Sequence, residues 1–415
     1  MNEHLPSGLM RHPDFLKLWF GQTLSEFGSR ISRGGIPLIA VITLSATPAQ
    51  LGWLTVASAL PVLLFGMIAG VWVDRLPRRP LLITLDLLRF ALLLIVPLAA
   101  VMGWLRFELL AGLLAIMGLL GVMFDAAYRA YLPQLIDREQ LVEGNTKLAL
   151  TDSLAEIGGP ALTGVLVQAV GAPLAITLDA FTFLVGALTK GTIRKRVPAP
   201  VRPRSTGAPV RALLDEISAG IRVITGDPLL WALAVGVAWR SFFGNFIGTL
   251  YDFYAIRELG LTPATLGVLI AGGGIGALVG AALSERVIQR WGIGRALIGG
   301  LIVSALFNLL IPLAGSFPPA FAPILLLISQ IVGDGAMTVF GISEITFRQQ
   351  RVPDALMGRV HTGFEFMSNS ITPIAGIAAG VIAGSSSAGV TLWIATVGIL
   401  AVALWTARTP FDDAI

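Results

Sequence analysis

The stretch Gly66-Met-Ile-Ala-Gly70-Val-Trp-Val-Asp74-Arg75-Leu-Pro-Arg78-Arg79-Pro80 decides how the rest of the chain is read. Its first part is apolar or small throughout, and its second part holds one acid, three arginines and two prolines. Gly66 and Gly70 stand one helical turn apart and let a second helix approach closely. Asp74 and the arginines then end that helix in a tight turn. A long apolar helix that stops at clustered arginines marks a cytoplasmic membrane boundary.

Outward from this turn the chain keeps the same character. Of 415 residues, 55% are hydrophobic and 13% charged, and at roughly 20 residues per span this is material for about eleven or twelve membrane helices. An ordinary soluble protein is excluded. A transmembrane barrel is excluded as well, because runs such as Leu92 to Leu105 and Ile324 to Val332 are continuously apolar rather than alternating. Proline, glycine and charge breaks place spans at about 15–43, 48–73, 80–103, 107–135, 139–170 and 173–192, then at about 228–258, 262–285, 291–314, 319–350, 354–384 and 387–407. The intervening segment carries Arg194, Lys195, Arg196, Arg202 and Arg204 among Pro198, Pro200, Pro203 and Pro209. Its start suits a linker, and residues 210–225 suit an amphipathic helix lying on the membrane. The expected organisation is therefore a six-helix bundle over 1–192, a cytoplasmic linker over 193–227 and a second six-helix bundle over 228–415.

Lysine and arginine placement gives the orientation. The termini, the linker and the loops after even spans hold 20 of the 29, whereas the opposite loops hold only Arg106 and Arg257. Both termini and the linker are expected in the cytoplasm. The first apolar segment, reached without a small-residue cleavage site, is read as a retained span. Sliding the halves by about 215 residues aligns Pro48, Leu51 and Gly52 with Pro263, Leu266 and Gly267, and Pro160 with Pro373. Two parallel six-helix repeats with a site near the midplane are an architecture of secondary transporters.

The absence of cysteine removes disulfides, thiolate metal sites and cysteine nucleophiles. His4, His12 and His361 are too scattered for a zinc site. No H-E-x-x-H, G-x-S-x-G or G-x-x-x-x-G-K-[ST] pattern occurs, so neither an enzyme nor an ATP-driven pump is expected. No cofactor, metal or nucleic-acid partner is called for.

Segment 66–80 resembles the signature loop between helices two and three of the major facilitator superfamily. That resemblance implies that Gly70, Asp74, Arg75, Arg78 and Arg79 form a cytoplasmic latch between the halves. Ile157-Gly158-Gly159-Pro160-Ala161-Leu-Thr-Gly164 is similar to the Gly-Pro motif carried by the superfamily's exporters, with Gly159, Pro160 and Gly164 in place. The proline kinks the helix and the glycines permit close packing. Further stretches, among them Leu18-Trp19-Phe20-Gly21-Gln22, Phe124-Asp125-Ala-Ala-Tyr128, Phe243-Gly244-Asn245 and Leu356-Met-Gly358-Arg359-Val360, look like the branch of macrolide-efflux-like and enterobactin-exporter-like drug:proton antiporters. The resemblance implies twelve helices, a bacterial cytoplasmic membrane and export of small amphipathic compounds against protons. A siderophore, a lysolipid or another endogenous anion stays open as the cargo, with Arg30, Arg33 and Arg240 as its receptors. The protein is read as a monomer.

An ionised side chain at mid-bilayer costs at least about 2.5–3.5 kcal/mol, so it must face a cavity or a partner. Glu26 lies near mid-depth, followed on its face by Arg30 and Arg33. Asp152 and Glu156 lie near mid-depth on the fifth span, Arg240 on the seventh, Asp334 on the tenth and Glu365 on the eleventh. Asp152 and Glu365 share the 213-residue offset that relates Pro160 to Pro373. Glu26, Asp152 and Glu156, then Glu365 and Asp334, are the candidates for proton coupling or charge sensing; alternatively, Glu26 pairs with Arg30, or Asp152 with Arg30 or Arg33. Arg30, Arg33, Arg240, Phe243, Asn245 and Phe246 are candidates for the substrate cavity. Asp125 and Arg129 fall near the cytoplasmic arginine loop and are assigned to the gate, with Glu344 in the same part beside Arg286. Asp179 and Asp252 are expected near the outer surface, in solvent.

Overall fold

A computed structural model describes residues 8–73, 75–195 and 209–411. The helices are α1 Pro13–Leu38, α2 Pro48–Val73, α3 Arg78–Val101, α4 Phe107–Leu135, α5 Leu141–Val170, α6 Ala172–Gly191, α7 Pro209–Gly226, α8 Pro228–Phe253, α9 Pro263–Trp291, α10 Ile293–Asn308 with its one-turn continuation α11 Leu310–Leu313, α12 Ala322–Arg351, α13 Asp354–Ser385 and α14 Ala388–Thr406. No strand occurs among the described residues. Among the described residues, eleven helical segments are long and apolar enough to cross a membrane. The twelfth long helix, α1, has 26 residues, about 39 Å at roughly 1.5 Å per residue. Glu26, Arg30 and Arg33 in its second half lower its hydropathy. Large apolar side chains such as Leu98, Leu178, Val279 and Ile374 are exposed, the outward face expected of helices solvated by lipid. The chain is an all-α, multi-pass membrane protein, with twelve long helices among the described residues.

Local chemistry sets the helix ends. His12 Nδ1 accepts from the Phe15 N–H at 3.0 Å, with Pro13 in the first helical position. Asp227 caps α8 by accepting from the N–H groups of Leu229 at 2.9 Å and Leu230 at 3.2 Å, and Arg351 Nε donates to it at 2.5 Å. Burial acts to raise the Asp227 carboxyl, but the hydrogen bonds from Arg351, Leu230 and Leu229 outweigh it and hold the group below the ordinary aspartate value.

The repeat offset reappears in the backbone. α1 runs on into a π turn over Ile39–Thr43 and α8 into a π turn over Tyr254–Glu258. The N–H of Leu44 bonds to the Ile39 carbonyl and that of Leu259 to the Tyr254 carbonyl, each at 2.9 Å. Ser45 at φ 50° and Gly260 at φ 69° then turn the chain through the left-handed region.

The chain divides into two compact units, one of Met1–Leu44 with Leu60–Pro209 and the other of Ser45–Ala59 with Val210–Ile415. In the first unit, Leu9, Phe15, Leu82, Phe124 and Tyr131 belong to one buried cluster. In the second, Ile224, Leu233, Leu301, Phe347 and Phe364 do. The first turns of α2 pack within the second unit. A Cβ on Gly52 would strike the Gly376 carbonyl, and the Thr55 and Thr249 hydroxyls bond at 3.0 Å. The helix expected after the linker forms as α7, but Ile217 and Ile224 are buried against protein rather than turned to lipid. A Cβ on Gly220 would meet the Arg359 carbonyl of α13. Its second half docks on the bundle.

α9 and α12 meet backbone to backbone, since a Cβ on Gly276 or Gly280 would strike the carbonyls of Ile331 or Gly335. Gly280→Val is therefore expected to push the two helices apart and to lower stability by about 3 kcal/mol or more, seen as a lower melting temperature in detergent; an unchanged melting curve would disprove the close approach.

Candidate functional site

In the first unit, α1 and α5 present the charges singled out from the sequence. Arg30 is 9% exposed, and its guanidinium reaches both acids of α5. Nη2 donates to Asp152 Oδ1 at 2.7 Å, and Nη1 pairs with Glu156 Oε2. This bridge requires Gly159. A Cβ there would collide with Cβ and Cγ of Arg30, so the glycine of the Gly-Pro segment is the slot through which the arginine stem passes. The stem then runs back toward the N-terminal end of α5, as the side chains of α1 point to their own N-terminus. Thr163 Oγ1 donates to the Gly159 carbonyl at 2.8 Å and ties off the turn around Pro160. Gly164 is buried further along α5. Glu26 takes a different partner: Gln22 Nε2 donates to its Oε1 at 2.8 Å. Arg33 is exposed.

Three charged residues that sequence reasoning did not use lie deeper, with a fourth, Asp179, that it placed elsewhere. Asp86 on α3 and Lys190 on α6 are both 0% exposed and pair at 2.8 Å. Arg89, one turn after Asp86, lies over the rings of Phe124 at 4.5 Å and Phe183 at 5.2 Å. Asp179 is 0% exposed, which corrects its expected place in solvent. It packs against Gly28 of α1 and accepts from Thr182 Oγ1 at 3.2 Å. The signal for Asp86 and Arg89 was available, as both interrupt the apolar run of the third span.

The arginine loop is only partly described. Gly70 lies in the last turn of α2, and Asp74 lies outside the described residues. Arg79 caps the C-terminus of α6, with Nε on the Lys190 carbonyl at 2.9 Å and Nη2 on the Gly191 carbonyl at 2.6 Å. Arg78 opens α3, Arg75 is exposed, and Asp125 and Arg129 stand one turn apart on an exposed face of α4. Glu344 pairs with Arg348 of its own helix at 2.8 Å, not with Arg286. The expectation of a loop partner overlooked the nearer cation one turn on.

In the second unit, Arg240 lies 5.9 Å from the Phe340 ring centre. Phe246 is buried among Phe242 and Phe243, and Phe243 packs on Gly398 of α14. Asn245 Nδ2 donates to the Ser241 carbonyl at 2.8 Å and to Thr372 Oγ1 at 3.3 Å. Glu365 is exposed and accepts from Asn369 at 3.0 Å. Asp334 and Asp252 line one cavity of about 340 Å³. Asp252 is thus a cavity residue rather than a surface acid. No group of three or more metal-ligating side chains occurs among the described residues.

The chain is similar over nearly its whole length to known transporters. An MFS-type transporter of Sinorhizobium fredii, y4rN, is 26% identical, covering 95% of this chain and 96% of its own. The multidrug efflux pump Tap of Mycobacterium tuberculosis is 25% identical over 96% of this chain and 94% of the pump. Among solved structures, a bacterial homologue of the iron transporter ferroportin in its inward-facing state superposes with a TM-score of 0.75 at 16% identity, covering 97% of this chain and 100% of that one. The nucleoside transporter NupG gives 0.71 at 14% identity over 95% of this chain and 98% of that one. These two show the shared fold. The model of the Major Facilitator Superfamily matches residues 18–376, and with twelve long helices, a repeated backbone and charges set inside apolar spans, the chain belongs to that superfamily of transporters.

Proposed function

We propose that the protein exports small amphipathic drugs or natural products across a bacterial cytoplasmic membrane in exchange for protons, as a monomer with both termini in the cytoplasm. The observation that carries this reading is the Arg30 bridge to Asp152 and Glu156 through the slot at Gly159. A buried arginine shared by two carboxylates is a charge balance that one proton upsets. Protonation of either acid removes one anchor, and Arg30 is then free to turn toward Glu26, one helical turn earlier on its own helix. Each protonation state favours a different α1–α5 arrangement, which is what coupling to transport requires. Arg30 already holds two carboxylates, which weighs against a role as receptor for an anionic cargo. The likeness to multidrug efflux pumps supports the amphipathic cargo.

The test is transport in proteoliposomes with an imposed pH gradient. Ethidium or a macrolide is expected to move against its own gradient and to stop when a protonophore collapses the pH difference. Combining Asp152→Asn with Glu26→Gln is expected to leave exchange that no longer responds to pH. Unaltered pH-driven transport in that double variant would falsify the coupling assignment.

A further inference from the structure

We propose that the cavity enclosed by α8, α10, α12 and α14 of the second unit is a binding pocket for an amphipathic organic ammonium ion, with Asp252 and Asp334 as its anionic end. The cavity, about 340 Å³, lies wholly within one unit and is of the size that holds a drug-like ligand. Its lining follows helical periodicity. Arg240, Gly244, Gly248 and Asp252 recur every four residues along one face of α8, and Gln330, Asp334 and Met337 follow at steps of four and three on α12.

Three features select a cation. First, the lining carries two carboxylates and one guanidinium. Arg240 and Asp252 are twelve residues apart on α8, about 18 Å along the axis at roughly 1.5 Å per residue, so the arginine sits too far off to neutralise Asp252. Second, neither Asp252 nor Asp334 is in an ion pair among the described residues, whereas other inward acids such as Asp86 and Glu344 each hold a cation. An unpaired carboxylate in an apolar bundle calls for a counter-charge. Third, Gln330, one turn before Asp334 on α12, and Ser304 and Asn308 of α10 also line the cavity and offer amide and hydroxyl oxygens as further acceptors.

The position of Asp334 is built in. Its carboxylate lies against Gly273 of α9, where a Cβ would occupy the same space. Leu301, Ile311 and Ile399 give the apolar wall, suited to the ring system or chain of an amphipath. Two carboxylates with amide and hydroxyl oxygens match an alkylammonium, which needs only a few acceptors around one charge. The proposal concerns binding; it rests on the export reading only in taking the bound ammonium compound as cargo.

The experiment uses the purified full chain in nanodiscs with propranolol, a secondary ammonium on a naphthyl ether, and its neutral diol counterpart, 3-(1-naphthyloxy)propane-1,2-diol. Calorimetric titration is expected to show propranolol binding about tenfold or more tighter than the diol, the size of one charged hydrogen bond. Asp252→Asn and Asp334→Asn should each remove that preference while leaving diol binding and the melting temperature in place. Ser304→Trp, which fills the cavity, should abolish binding of both compounds. Equal affinity for the two probes, a preference that persists in both asparagine variants, or binding that survives Ser304→Trp would each overturn the proposal. The transport reading is scored separately: pH-driven export with no ammonium preference loses the pocket and keeps the exporter, while selective binding without pH-driven export does the reverse.

Discussion

Lys190→Met alone is expected to leave little folded protein, whereas the same change combined with Asp86→Leu restores it. Both partners are fully buried, with Lys190 Nζ at 2.8 Å from Asp86 Oδ2 and 5.1 Å from the Phe124 ring centre. Oδ1 of Asp86 has no hydrogen-bond partner, so the ammonium is the carboxylate's main compensation. Losing it strands a buried charge at a cost of about 3–5 kcal/mol, against a total stability of about 5–15 kcal/mol for a typical fold. Replacing both partners removes the charge along with its compensation, and buried pairs exchanged for apolar residues are often neutral or stabilising. Arg89 keeps its place between Phe124 and Phe183 in either case. Detergent melting curves of the two single variants and the double variant measure the cycle. A double variant as unstable as Lys190→Met would show that the pair is not the unit that matters.

Arg30→Met is expected to act on transport rather than on folding. The Asp152 and Glu156 side chains are 60% and 57% exposed, so the bridge is not sealed in the packed interior, and the expected stability cost is about 1 kcal/mol. Transport driven by the pH gradient is expected to fall about 100-fold, toward the upper range of coupling free energies between sites. Gly159→Val should reproduce this loss without touching a charge, because its side chain closes the slot that the arginine stem uses. Arg30→Lys keeps the charge but not the fork that reaches two carboxylates at once, and intermediate coupling is expected. Full pH-driven export by Arg30→Met, measured in the same proteoliposomes, would remove the bridge from the mechanism.

The helices were legible because long apolar runs leave few alternatives and because proline and arginine mark their ends. The repeat was legible too, and the 215-residue offset aligns both π turns and the left-handed residues behind them. Partner choice was less readable. Depth along a helix says nothing about which neighbour covers a side chain. Asp179, counted by depth, fell near the surface, yet the close approach allowed by Gly28 brings α1 over it. Lys190 falls in the last turn of the sixth expected span, next to the charged linker, and only the packing of α6 on α3 turns it inward. Arg30 had three acids within sequence reach, and Gly159 selects the two on α5. The grouping of Ser45–Ala59 with the second unit likewise depends on Gly52 meeting Gly376, a contact across 324 residues that no local pattern signals.

The left-handed residues Ser45 and Gly260 also differ in what their bend costs. Glycine adopts that conformation freely, whereas for serine it costs about 1–2 kcal/mol. That the same bend stands on serine in one half and on glycine in the other means that the bend at Ser45 is held against the residue's own preference by the structure around it. What the two halves share at these turns is a path for the backbone, on which the side chains differ.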